Sequence, residues 1–323
     1  MDEAAGIELA VRVVAGDPSV HLVSQLGPLD TSNGFGQEAV VEFRAPSVTS
    51  GAAWRTDANG LFMMQRTRRT NSSGFFPGYV VAEPEAQNYF PATNMAELRS
   101  AAPDGPSIAV SFASSHGVTS LAPGTLEVMM HRRLVDHGCR VDQGFEMNDT
   151  YRIVKTLRVQ ALPSSKGLAV ANRLAALRSH HPVAIYFTAA AAEGDAAAGV
   201  TQPALLRDLP PNVHLHTLRT SLGADLRCSP FPPRKCDDAP APAPGTLKLL
   251  IRLQHLFSAE DDPDGLSKPV AVDLSAWLAP WGRVLSIDET TLTAAEVIGA
   301  NVQGLPVTLS PMEIRTFICV MRV

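Results

Sequence analysis

Between Ser120 and Gly144 the chain gathers ionisable side chains behind an apolar pattern. Pro123-Gly124 has turn chemistry. Leu126, Val128 and Met130 then alternate with Glu127, Met129 and His131, which predicts a half-buried strand. Arg132 and Arg133 end it, and Asp136, His137, Gly138, Cys139, Arg140 and Asp142 follow in an irregular stretch. Such a density of ionisable groups straight after an apolar strand suggests a loop facing water, a ligand or another domain. The plainer reading of the same residues is the solvated end of a hairpin.

Other clusters carry less. His214 and His216 would share one face of a strand, a spacing suited to a metal, but no third ligand is near in sequence. His180-His181-Pro182 closes a helical pattern, where histidine can meet the last carbonyls. The acidic turn E-D-D-P-D-G at 260–265 lacks the length and closing Glu of a calcium loop and reads as solvated. Neither a G-x-S-x-G, a nucleotide loop nor zinc-finger spacing occurs.

The positioning elements are mostly strands. Residues 7–14 alternate with Ile7, Leu9, Val11 and Val13 on one face. Further strands are predicted at 38–43, 65–69, 106–112 and 151–159, with a hairpin turn at Asn59-Gly60. Residues 168–178 form the one convincing helix, and the Ala-rich tract 189–198 reads as a loop. A second unit starts near Leu209-Pro210-Pro211. It has strands at 213–219, 247–257, 269–274, 283–287 and 312–322, with a Pro-rich loop at 228–245. On the last strand Ile314, Thr316, Ile318 and Val320 share a face, and Cys319 is expected in packed core.

Composition narrows the classes. The chain has 323 residues, 45% hydrophobic and 18% charged, enough for two globular domains. A net charge of −5 argues against a nucleic-acid surface, and no apolar run has the length of a membrane span. The N-terminus M-D-E-A-A-G-I-E-L lacks the basic and apolar regions of a signal peptide. Four cysteines are too few for a disulfide scaffold. Cys228 and Cys236 flank S-P-F-P-P-R-K and are either a loop-closing disulfide or two free thiols. Asn71 and Asn148 head glycosylation triplets, which lean towards a secretory history.

Five stretches, in order, resemble glycoside hydrolase family 38, the α-mannosidases of lysosome and Golgi. The strand Gly124–Leu134 is similar to the family's G-x-L-E-x-M-x-x-R-R-L, and the loop after it to D-D-x-R-G, with His137 and Gly138 at the Asp positions and Arg140 kept. W-R-T-D-A-N-G at 54–60 resembles F-Y-T-D-x-N-G, with Arg55 in place of Tyr, and Asn88-Tyr89-Phe90-Pro91 resembles N-Y-Y-P. R-D-L-P-P-N-V-H-L at 207–215 and L-S-P-M-E-I-R-T-F at 309–317 are similar to lysosomal members.

The resemblance implies a mainly-β fold: a large galactose-mutarotase-like sandwich (1–210), a smaller β-sandwich (211–323) and one helical excursion. It implies the C-terminal part of a retaining enzyme that removes α-linked mannose from N-glycans, in a lysosomal or other secretory-pathway compartment. The family's zinc, its His and Asp ligands and its Asp nucleophile belong to an N-terminal catalytic domain. No H-x-D motif occurs here, so no catalytic residue, metal ligand or cofactor is assigned to this chain. Its expected partners are that catalytic domain and a mannose-containing glycan. Arg140 is the pocket-rim candidate, and Arg132, Arg133 and Asp57 are interface candidates. The alternative reading is a stand-alone carbohydrate-binding or structural β-module without catalysis.

Overall fold

A computed structural model describes residues 6–70, 85–134, 149–182, 208–220 and 245–322. The mainly-β expectation holds. In chain order the first unit contains strands β1 (Glu8–Val13), β2 (Val20–Leu26), β3 (Gln37–Arg44), β4 (Ala53–Asp57), β5 (Met63–Thr67), β6 (Phe90–Ala92), β7 (Met95–Arg99), β8 (Ser107–Phe112), β9 (His116–Thr119), β10 (Thr125–Arg133) and β11 (Ile153–Leu162), then helix α1 (Leu168–His180). The second contains β12 (Val213–Thr220), β13 (Thr246–His255), β14 (Val270–Val272), helix α2 (Leu274–Leu278), β15 (Arg283–Thr290), β16 (Val297–Gly299), β17 (Val307–Leu309) and β18 (Ile314–Arg322). The chain divides into two compact units, Met1–Ala184 and Ile185–Val323.

In the first unit, a seven-stranded sheet in the order β1-β2-β11-β8-β7-β4-β5 faces a four-stranded sheet in the order β3-β10-β9-β6. The core lies between them because alternate residues of each strand point inward. Leu126, Val128 and Met130 of β10 meet Leu22, Leu98, Phe112 and Leu157 of the larger sheet. Trp54 of β4 is only 1% exposed and packs edge-on to Phe90 at 5.7 Å.

β10 departs from simple alternation. Its register against β3 shifts between Met129 and His131, so one residue bulges out of the ladder. Met130 and His131 are therefore both buried, although strict alternation predicts opposite faces for them. β1 forms as expected, yet every residue in it is exposed.

Helix α1 lies on the outer face of the larger sheet, against β8 and β11. It runs to His180, two residues beyond the predicted end, where the His181 amide donates to the Leu177 carbonyl at 2.9 Å. Beneath it is a polar layer. Glu97 is fully buried; Arg99 Nη2 lies 2.7 Å from Glu97 Oε1, and Asn172 Nδ2 lies 3.4 Å from Glu97 Oε2. Burial raises the proton affinity of Glu97, and Arg99 and Arg55 oppose that rise.

The second unit has a five-stranded sheet, β12-β13-β18-β15-β16, and the pair β14-β17. Leu249, Ile251 and Leu253 pack with Phe317, Cys319 and Met321. The core face of β18 is thus the odd-numbered one, and Ile314, Thr316, Ile318 and Val320 share the other. The predicted strand 269–274 is shorter, because Asp273 turns the chain into α2 by accepting from the Ala276 amide at 2.9 Å. Sequence patterning missed this helix because it is five residues long.

Candidate functional site

β10 ends at Arg133 and β11 begins at Ile153. Arg140, Asp136, His137 and Cys139 between them lie outside the described residues, as do Asn71, Asn148, Cys228 and Cys236. The end of β10 and the sheet face beside it are described.

Arg132 stands directly across from Glu38 in the β3/β10 register and ion-pairs with it at the surface. Such a pair contributes at most about 1 kcal/mol. Arg133 reaches back from Nη1 to donate to the Leu29 carbonyl at 2.5 Å. Its guanidinium therefore ties the end of β10 to the segment after β2. Asp57 is fully buried. Its Oδ1 accepts from the Asn94 and Met95 amides at 2.9 Å each, and its Oδ2 from the Gly60 amide at 2.7 Å. All three interface candidates thus have partners inside the unit. Asp57 closes the β4–β5 hairpin and clamps it to the start of β7.

The outer face of the four-stranded sheet holds a group that sequence reasoning missed. The Tyr89 hydroxyl donates to the Glu127 carboxylate. Its ring lies over Gly117, where a Cβ would come within 3.2 Å of Tyr89 Cδ1. Gly117 is thus the small residue that lets the ring approach the sheet. Burial, then the Glu127 carboxylate, holds the Tyr89 hydroxyl protonated far above its ordinary range. Asn88 sets this ring in place, accepting from the Arg69 amide at 2.7 Å and donating to the Arg69 carbonyl at 3.1 Å. The N-Y-F-P motif was the available signal, but its partner Glu127 is distant in sequence.

A second network lies between the end of β8 and β10. His116 Nδ1 is 2.8 Å from the Met129 carbonyl and so carries its proton there. Its Nε2 faces Ser114 Oγ at 3.2 Å, and Lys155 Nζ donates to that Oγ at 2.9 Å. Burial lowers the proton affinity of His116. His131, buried by the bulge, has no hydrogen-bond partner for Nε2 among the described residues. The rings of His214 and His216 sit 6.4 Å apart, and His216 occupies a bulge in β12.

Glycoside hydrolysis needs two carboxyl groups across a substrate, one with raised proton affinity as acid. Among the described residues the carboxyl with raised proton affinity is Glu97, and it is sealed inside the protein. No group of three or more His, Cys, Asp or Glu side chains there could hold a metal ion, so these residues do not fit a zinc site.

No protein-family model matches the chain. Lysosomal alpha-mannosidase of Homo sapiens is 29% identical over 95% of this chain and 30% of its own length. Epididymis-specific alpha-mannosidase of Homo sapiens is 29% identical over 83% of this chain and 25% of its own. Lysosomal alpha-mannosidase of Dictyostelium discoideum is 28% identical over 91% and 29%. The chain spans about three-tenths of the length of the first of these relatives. A solved structure of a glycosyl hydrolase family 38 protein from Enterococcus faecalis aligns with TM-score 0.46 at 13% identity, over 97% of this chain and 29% of that one. That likeness is too remote to bear on the fold. By sequence, the chain is a β-sandwich relative of the α-mannosidases. The similarity covers 95% of the chain against the first of them.

Proposed function

We propose that this chain is the supporting, non-catalytic part of an α-mannosidase that removes α-linked mannose from glycans. The observation that carries the reading is the similarity to α-mannosidases over 95% of the chain, which spans about three-tenths of the first relative's length. In this reading residues 1–210 and 211–323 are two β-domains beside a catalytic domain that supplies zinc ligands and nucleophile. Arg140 stands at the pocket rim, where a guanidinium can bind sugar hydroxyls or orient a carboxylate. Arg133, tied to Leu29, steadies the end of β10, and Arg132 is partly exposed beside it for contact with the catalytic domain. The lysosomal relatives support a lysosomal setting. No helix among the described residues is long and apolar enough to cross a membrane.

A chromogenic α-mannoside tests this. The purified chain with zinc supplied is expected to give no turnover, whereas a polypeptide that joins it to the catalytic part is expected to hydrolyse the substrate. Zinc-dependent turnover by the chain alone would overturn the assignment.

A further inference from the structure

Between β8 and β9 the chain crosses from the seven-stranded sheet to the four-stranded one through Ala113, Ser114 and Ser115. Ser114 is half-buried at this turn, and Ala113 and Ser115 on either side of it are exposed. Its Oγ meets two side chains: His116 Nε2 at 3.2 Å and Lys155 Nζ at 2.9 Å. His116 opens β9, paired with Ala92 of β6, and its ring stands edge-on to Phe112 at 4.8 Å between centroids. Lys155 lies on β11, paired with Ser24 of β2. Base and cation are thus held by paired strands, and the hydroxyl by the turn between sheets. The Met129 carbonyl can only accept, so His116 Nδ1 is the donor to it. A neutral imidazole with its proton at Nδ1 has its lone pair at Nε2, here aimed at the Ser114 hydroxyl. Burial lowers the proton affinity of the ring, the Met129 bond raises it and the Lys155 charge lowers it, with a net fall. Lys155 meanwhile donates to the same serine oxygen.

We propose that Ser114 is a nucleophile, activated by His116, that takes acyl groups from short-chain carboxylic esters. A hydroxyl within reach of a base, with a third group orienting that base, is the arrangement of nucleophilic catalysis. Here the third group is the Met129 carbonyl. Ser114 Oγ bonds to the ester carbonyl carbon while its proton passes to His116 Nε2. The bond from that carbon to the alcohol oxygen then breaks, and the alcohol leaves with the proton from Nε2. The acyl group stays on Ser114 until water, losing a proton to the same Nε2, releases it as the carboxylic acid. Lys155 supplies a cation on a flexible stem beside the oxyanion that forms at the carbonyl oxygen. Exposed neighbours at the turn let an ester arrive from solvent, and a short acyl group needs no enclosing pocket. This chemistry goes beyond glycoside hydrolysis.

The full chain, treated with p-nitrophenyl acetate and separately with a fluorophosphonate, tests this. In the second reaction Ser114 Oγ displaces fluoride from phosphorus and its proton goes to His116 Nε2. Steady release of nitrophenolate is expected, and a phosphonyl group on Ser114 located by peptide mass spectrometry. Ser114→Ala should abolish both. Ser115→Ala, exposed on the same turn, should change neither. His116→Gln should slow both about a hundredfold. Should His116→Gln fail to fold, the wild-type chain in denaturant takes its place. Labelling of Ser114 should vanish there, because base and cation come from separate strands. An unlabelled Ser114 overturns the proposal, as does a label that persists in denaturant or is indifferent to His116→Gln. So does ester hydrolysis by Ser114→Ala at the wild-type rate, which would leave these contacts as hydrogen bonds that secure the turn.

Discussion

Replacing Asp57 should damage the large sandwich in two distinguishable degrees. The carboxylate accepts three backbone N–H groups: those of Asn94 and Met95 at Oδ1, and that of Gly60 at Oδ2. Hydrogen bonds to a charged acceptor contribute roughly 1.5–3 kcal/mol each, and a buried donor left without a partner adds its own penalty. The Met95 amide is the fully buried one of the three, whereas water can partly replace the acceptor at the other two. Asp57→Ala should therefore destabilise the unit by about 4 kcal/mol. Asp57→Asn keeps one oxygen for Asn94 and Met95 and sets an amide group against the Gly60 N–H, for a loss of about 2 kcal/mol. For a unit of this size the alanine variant should melt roughly 10 °C lower. Trp54, buried three residues away on the same strand, is the reporter, with Trp277 and Trp281 replaced by Phe. Denaturant unfolding followed by its fluorescence gives both values. A loss below about 1 kcal/mol for Asp57→Ala, or equal losses for the two variants, would refute the view that this carboxylate clamps hairpin to sheet.

Glu97 makes the second prediction. Burial raises its folded-state pKa above the ordinary 4.5, so its contribution to stability is full below that value and declines as pH rises towards the folded pKa. Glu97→Gln should flatten that decline in a melting series run upward from pH 4.5, and an unchanged slope would count against it. Asp17 works in the opposite sense. Burial would push it up, but hydrogen bonds from Ser19, His21 and Arg158 hold it well below the usual carboxylate range, so its contribution fades as pH falls below 3.8. Cys319 gives the third. Burial pushes its thiol up to about 12, so alkylation at pH 8 should be negligible in the native chain and complete after unfolding, read by mass spectrometry of the β18 peptide.

Much of this architecture is legible because strands with one buried face write a period of two. Leu126, Val128 and Met130 show it, as do Leu249, Ile251 and Leu253. The bulge in β10 has no mark in the sequence, since neither Met129 nor Met130 is a residue that a bulge demands. It is fixed by pairing with β3, far earlier in the chain. The same limit hides Tyr89 and Glu127, which meet only because β9 lies between β6 and β10. α2 was within reach, since Asp273 is a good cap, but its few residues carry too little period to stand out. Arg140 lies outside the described residues, and the resemblance alone speaks for it.

The bulge in β10 also decides which changes of length this strand can absorb. In a sheet, adding or removing one residue inverts the facing of everything on one side of the change. At residues 129–131 β10 already holds one residue more than its partner. Losing Met130 would return the strand to an even count, with His131 still inward and Arg132 still outward beside Glu38. Losing Glu127 would instead put the strand out of phase, and either Leu126 or the segment beyond it would turn to solvent. The strand therefore has one position where a deletion is a local lesion and many where it is a global one.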